Sequence, residues 1–473
     1  MKINLSKNRT NAKSFYPYFD DSNSVSKEIN ERIIKDKDYF SKKYQIKKYF
    51  LDNGEITVIR LGKKSDFDLE TSRRFGSIVI NTAKKDYDEN FDIILDSDFF
   101  DNNFSKEDST YALLEGLYLT NYEYDIFKTK EGKKFEIKSI NLTSDKEIDF
   151  EKIDNKAQNV RDAIFLTRDL VNAPANVVNI ATLQKEAERI ANENNLKLKV
   201  KDKNALLKEG FNLLYSVGKA GAEEPRLVEI EYKYDETSPN ICLIGKGIVF
   251  DTGGLNLKPE NFMADMKSDM AGAGSALSLI EYIAKSKMPI NVTTIMPLAE
   301  NAIDSNSYRP GDVILGYNKK SVEILNTDAE GRLILADALS YADTKDFDLV
   351  IDFATLTGAA VIALGTKIAA SFFRNNSVKE KMFNSSKKCG EPIWELPLFE
   401  EYKENLKGDI ADIANLGTPQ RQAGSIMGAL FLSEFIKNGN WIHFDIAGTS
   451  HLDKEWYYNP KGGTGFIMRT IID

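Results

Sequence analysis

Two carboxylates and a guanidinium stand close together in Asp328-Ala329-Glu330-Gly331-Arg332. Hard oxygen donors at such spacing can reach one metal ion or bridge a pair of them. A guanidinium beside them can hold an anion or a developing negative charge. Asn326 and Thr327 precede the trio, and the apolar run Leu333, Ile334, Leu335, Ala336, Ala338 and Leu339 follows it as a helix. Alone, this could be a charged turn before a helix. Four further segments give it context.

The run Asn240–Ile244 has the character of a strand and leads into Gly245-Lys246-Gly247-Ile248-Val249-Phe250-Asp251-Thr252-Gly253-Gly254. Lysine and aspartate there suit a site at the carboxyl edge of an open sheet. The same pattern is also compatible with a simple turn. Lys258 precedes Pro259, an ordinary place for an exposed lysine. Asp269, in Met266–Gly274, stands at a helix start, where it can be an N-cap or a metal ligand. Asp352–Ala359 ends a strand with Thr355, Leu356 and Gly358 available to line a pocket. Together Asp251, Asp269, Asp328 and Glu330 form a cluster that repels itself unless cations enter. Two divalent ions would relieve the repulsion, lower the pKa of a water and stabilise an oxyanion. Lys246 fits beside cations only as a neutral amine, a state that burial and a metal favour.

These residues need a scaffold, and the chain of 473 residues is long enough for two or three domains. Its 42% hydrophobic and 29% charged residues describe a soluble globular protein. A net charge of −9 argues against nonspecific nucleic-acid binding. Two cysteines, Cys242 and Cys389, make no disulfide framework and fit a reducing, cytoplasmic compartment. Met1–Lys13 is polar, with no apolar core of a secretory signal. Leu349–Phe373 is the longest apolar stretch, but Asp352, Lys367 and several Thr and Gly interrupt it. It reads as a buried strand, an irregular loop and another buried element rather than a membrane span. The two histidines, His443 and His451, exclude an HExxH motif or a Cys/His zinc cluster. Any metal ligands must then be mostly carboxylates.

The expected architecture is α/β: a smaller N-terminal α/β domain over residues 1–155 and a catalytic domain over 156–473. The catalytic domain should have a mixed, centrally parallel sheet covered by helices on both faces. In the first domain Ile56–Leu61, Ser77–Asn81 and Phe91–Leu95 resemble strands, and Tyr111–Leu119 a helix. A linker helix is predicted over about 156–172, closed by Asn172-Ala173-Pro174. Beyond it, Leu227–Tyr232, Asn240–Ile244, Asn291–Met296, Leu349–Phe353 and Trp441–Asp445 are predicted strands. Ala271–Ala284 and Ala423–Phe435 are predicted helices.

The chain resembles the leucyl aminopeptidase family of cytosolic metallopeptidases. Asn326–Leu333 matches that family's signature octapeptide in full. Gly245–Gly254, Leu257–Pro259, Met266–Gly272, Val322–Leu333, Ala354–Gly358, Asp409–Asn415, Asp445–Thr449 and Thr464–Thr470 also match. The resemblance covers roughly residues 160–473 and is thin before that. It implies two divalent ions per chain, Mn2+ or Zn2+, with Asp251 and Glu330 bridging them. Asp328 would complete the more exchangeable site, and Lys246 and Asp269 the tighter one. Lys258 would polarise the scissile carbonyl, and Arg332 would hold a bicarbonate as general base. Met266, Asn326, Thr355, Leu356 and Gly358 would bind the substrate. The implied activity is removal of leucine-like N-terminal residues from peptides by a homohexamer. Ser450-His451 stands where many relatives have Ala-Trp, so His451 is either a substrate contact or a packed or exposed residue with no such role.

Two other classes remain open on the sequence. One is a different two-metal hydrolase such as a phosphoesterase, although such sites usually contain histidine. The other is an idle assembly or nucleic-acid-binding protein on the same fold, against which the intact ligand set and the acidity stand.

Overall fold

The computed structural model describes residues 1–21, 27–36, 38–52, 54–100, 103–129, 135–375, 377–419, 422–437 and 439–473. The chain forms two compact units. One comprises Met1–Arg161 with Lys388–Gly390 and Glu455–Pro460, and the other comprises the remainder. Helix Phe150–Asn172 runs through the division. It ends where Pro174 requires but begins before the expected residue 156. Its first turns carry Phe150, Ile153 and Ala157 at helical spacing, and these pack on the core of the first unit.

The first unit has a six-stranded sheet in the order Lys2–Ser6, Ser139–Thr143, Asn90–Ile94, Lys13–Phe19, Gly54–Gly62, Ile46–Leu51. Only the last strand runs antiparallel to its neighbour among the described pairs. The strand expected at Ser77–Asn81 is instead part of helix Leu69–Asp86. Ile78-Val79-Ile80 is too short a β-branched run to overrule its surroundings. Asp68 caps the helix by accepting from Thr71 N at 2.7 Å. Buried Leu69, Phe75, Val79, Ile80 and Ala83 recur at helical spacing.

This helix crosses helix Lys106–Thr120 with almost no gap. A Cβ on Gly116 would lie 2.0 Å from the Arg73 carbonyl oxygen. Beside the crossing, Arg73 Nε and Glu115 Oε2 form a buried pair at 2.6 Å. Gly116→Ala should therefore force the helices apart and cost about 2–3 kcal/mol, the scale of overpacking. A lowered denaturant midpoint would report it, and an unchanged midpoint would show that the crossing relaxes freely.

The second unit is built on one large sheet. Its order is Ile393–Glu395, Ala369–Phe373, Trp441–Asp445, Leu349–Ala354, Asn240–Gly245, Asn291–Asn301, Arg226–Tyr232, Lys197–Lys201. The middle four strands are parallel. Arg226–Tyr232 and Ala369–Phe373 pair antiparallel to the outer two of these. Gly247–Asp251 branches off and pairs with the far end of Asn291–Asn301. Side chains along Asn240–Gly245 divide between the faces. Cys242 and Ile244 join the core that contains Leu333 and Leu339 of helix Gly331–Ala342. Ile241 and Leu243 instead line a small apolar cavity with Leu279 and Ile283 of helix Ala271–Lys285. Both faces are thus covered, which is why the strand is apolar throughout. Leu349–Phe373 also differs in detail from its expectation. The loop between its two strands contains the short helix Gly358–Leu364, capped by Thr357, which accepts from Ala360 N.

Candidate metal centre

Parallel strands bring their carboxyl ends to one edge, and the chemistry-bearing residues lie there. Lys246 follows Asn240–Gly245 directly, Asp251 ends Gly247–Asp251, and Thr355 follows Leu349–Ala354. Asp269 stands between the turn Met266–Ser268 and helix Ala271–Lys285. It does not act as the N-cap. Met270 holds that position with no side-chain bond, and the Asp269 carboxylate points to the cluster instead. Asp328 and Glu330 precede helix Gly331–Ala342, which is buried along its whole length.

Lys246 Nζ lies 2.7 Å from Asp269 Oδ1, 2.8 Å from the Thr355 carbonyl oxygen and 3.0 Å from Glu330 Oε1. Gly331 makes this possible, since a Cβ there would stand 2.4 Å from Lys246 Cε. Lys258 Nζ bridges Asp251 Oδ2 at 2.7 Å and Asp328 Oδ1 at 2.6 Å. Thr355 Oγ1 donates to Asp269 Oδ1 at 2.6 Å. Carboxylate oxygens of Asp251, Asp328 and Glu330 converge within 4.8 Å of one another. Lys246, Asp251, Asp269 and Glu330 are buried, whereas the Asp328 side chain is 35% exposed and forms the open side.

The cluster's electrostatics follow from burial and crowding. Burial raises Asp269 to about 8, with the charges of Glu330 and Asp251 adding and Lys246 opposing. Burial and Glu330 likewise raise Asp251 against the pull of Lys258 and Lys246. Asp328 is raised by burial and by Asp251, against Lys258. Burial pulls both lysines down, but the surrounding carboxylates win and hold them above the ordinary lysine value. Asp269 Oδ2 is buried and has no hydrogen-bond partner among the described residues. Carboxyls pushed toward protonation, with one oxygen left over, are what a cation would relieve. The donor set therefore fits divalent metal.

Arg332 lies apart from these contacts. It is buried, donates from Nη1 to the Asn415 carbonyl oxygen at 2.9 Å, and burial lowers it to about 10 against Glu330 and Asp445. Asn326 Oδ1 accepts from Asp328 N at 2.7 Å, which sets the turn before the helix. Met266 is half-buried at the start of its turn. Leu356 N donates to Asp445 Oδ1 at 3.1 Å, and Gly358 is exposed.

Neither histidine enters the cluster. His443 is fully buried and bonded through Nδ1 to Asp352 Oδ1 at 2.6 Å. His451 lies on a two-residue strand, and burial lowers its pKa.

Four residues that sequence reading missed support the site: Asn256, Asn301, Tyr308 and Asn415. Asn415 Oδ1 accepts from Leu325 N, and its Nδ2 donates to the Asn326 carbonyl oxygen. Thr327 N donates to Asn256 Oδ1, and Tyr308 Oη donates to the Thr327 carbonyl oxygen. The available signal was that each is a polar residue inside or beside an apolar or turn segment.

An open α/β sheet with buried carboxylates and lysines at its carboxyl edge is an arrangement suited to a metal-dependent hydrolase. Residues 165–472 match the family model described as cytosol aminopeptidase family, catalytic domain. Residues 18–131 match the corresponding N-terminal domain. A probable cytosol aminopeptidase of Aquifex aeolicus (strain VF5) is 41% identical over 88% of this chain and 84% of its own length. One from Clostridium perfringens (strain 13 / Type A) is 35% identical over 97% of this chain and 95% of its own. The solved structure of the bottromycin maturation enzyme BotP in complex with Mn aligns with a TM-score of 0.87 at 28% identity. It covers 98% of both chains. The chain belongs to the cytosol aminopeptidase family. By that membership it is an aminopeptidase, a metal-dependent exopeptidase. Among the described residues, no helix is long and apolar enough to cross a membrane.

Proposed function

We propose that the chain removes leucine-like residues from the free amino ends of peptides with a pair of divalent cations. The observation that carries this reading is the convergence of Asp251, Asp328 and Glu330 beside buried Asp269, whose Oδ2 has no partner among the described residues. When bound, two ions of the manganese or zinc kind supply a water of lowered pKa and a positive field for the developing oxyanion. Asp251 and Glu330 are the residues suited to bridging. Lys246 and Asp269 would complete one position and Asp328 the other. Lys246 can serve only as a neutral amine, so its proton must leave when a cation takes over the carboxylates now facing it.

Lys258, on the open side through Asp328, would turn its ammonium to the scissile carbonyl oxygen. Arg332, anchored on Asn415, would hold a bicarbonate as general base. Met266, Asn326, Thr355, Leu356 and Gly358 would form the recess for the first side chain. All of these residues fall in 156–473, which we take as the catalytic domain.

A cytoplasmic homohexamer accords with this reading. Ile362, on the short helix after Gly358, is 90% exposed, and large exposed apolar side chains of this kind suit burial between copies. The net charge of −9 disfavours nucleic acid as a partner. The likeness to a maturation enzyme favours a second reading, in which one dedicated peptide is trimmed.

Leu-Gly-Gly should be cut with manganese present, and acetyl-Leu-Gly-Gly should not. An ammonium or an amide nitrogen offers no free lone pair to a cation, whereas an uncharged amine does. The rate should rise with pH as substrate amines lose their protons, with pKa near about 8. Mass spectrometry of the two digests decides the matter. Equal cleavage of both peptides overturns the free-amine requirement. Cleavage of a single peptide sequence from a broad panel favours the second reading.

A further inference from the structure

The two turns that carry the carboxylates come from distant parts of the chain, yet their spacing must be fixed to within a fraction of an ångström for shared ligation. We propose that Asn301 is the positioning residue that sets this spacing, by bridging Asp251 to the turn of Asp328 and Glu330 through one amide group. The inference rests on the metal-centre reading above.

Asn301 ends its strand and is the register partner of Asp251 on the adjacent parallel strand. One Nδ2 hydrogen goes to Asp251 Oδ1 at 2.7 Å, and the other goes to the Thr327 carbonyl oxygen at 3.0 Å. Thr327 is the residue before Asp328. A single rigid, planar NH2 group therefore measures the distance between one carboxylate and the backbone of the turn that carries the others. Gly253 N also donates to Asp251 Oδ1, at 2.8 Å. With Oδ1 occupied by two neutral donors, Oδ2 is the oxygen turned to Lys258.

The orientation of the amide has an unfavourable consequence that makes the assignment specific. Asn301 is fully buried, and its Oδ1 has no hydrogen-bond partner among the described residues. A buried unsatisfied acceptor is disfavoured. Flipping the amide would not help, because the oxygen would then face two acceptor oxygens. The surroundings thus dictate a donor pair toward Asp251 and Thr327 and leave the carbonyl over.

The backbone of Asn301 is held independently of its side chain. Thr252 N and Thr252 Oγ1 both donate to its carbonyl oxygen, at 3.0 and 2.8 Å. Removing the side-chain donors should therefore loosen the spacing without undoing the strand end. Tyr308 offers an internal comparison. Its Oη donates to the same Thr327 oxygen at 2.6 Å, and among the described residues it has no hydrogen bond to Asp251.

Asn301→Leu keeps the branched shape and removes both donors together with the orphaned oxygen. In the full-length protein its metal-free thermal melting should stay close to that of the wild type. Its Mn2+ affinity by titration calorimetry should fall at least about ten-fold, the scale for losing an outer partner of a ligand. At saturating Mn2+, kcat on leucine p-nitroanilide should still fall while KM changes little. Tyr308→Phe should change the Mn2+ affinity by less than Asn301→Leu does. If Asn301→Leu does not fold, Asn301→Ala takes its place with the same readouts. Wild-type Mn2+ affinity and kcat in the folded Asn301 variant overturn the proposal. So does an equal loss in Tyr308→Phe, which would make Thr327 rather than Asp251 the point that matters. Failure of the wild type itself to bind Mn2+ would instead overturn the metal-centre reading.

Discussion

Glu330→Gln should yield a folded protein with almost no peptidase activity and a metal affinity lower by about 10²-fold or more, beyond the loss typical of an outer partner. The amide keeps the shape of the glutamate but removes its charge. Glu330 is buried at the head of a fully buried helix, with Lys246 Nζ 3.0 Å from its Oε1. A neutral oxygen there would bridge two cations poorly. Both ions should therefore weaken together. Elemental analysis after dialysis measures this directly. Full double occupancy in the variant would remove Glu330 from its bridging role, whatever its activity.

Lys258→Ala should lower kcat by roughly 10² or more, the scale for removing a group that stabilises an oxyanion. That corresponds to about 2.7 kcal/mol of transition-state stabilisation. Lys258 faces Asp251 and Asp328 from the open side of the cluster. Deleting its ammonium leaves those carboxylates with less positive charge, so cation affinity should hold or rise. This separates a catalytic role from a structural one, for which affinity and rate would fall together. An unchanged kcat with a raised KM would show that Lys258 binds substrate and transition state equally.

What the sequence disclosed depended on how locally each feature is encoded. Asn240–Gly245 was readable because a strand covered on both faces must be apolar at nearly every position. The Asp328–Arg332 turn was readable as a candidate site because its two carboxylates and its guanidinium are close together in the chain. Val79 and Ile80 misled because three β-branched residues look alike in a strand and a helix, and the deciding cap at Asp68 lies outside the run. Asp269 could not be resolved between cap and ligand, since that depends on where Lys246 and Thr355 arrive in space. Asn301 and Asn415 were missed for the same reason. Their partners at Thr327 and Asn326 lie far along the chain, and a lone asparagine carries no sign of what it will meet.

The two lysines also bear on what the entry of a metal would require. Lys246 and Lys258 place two ammonium groups among the carboxylates of the cluster, where they act as tethered counter-ions. On the proposed reading, a divalent ion entering the cluster would have to displace these ammonium groups and expel the Lys246 proton, so metal uptake would be an ion exchange favoured by rising pH.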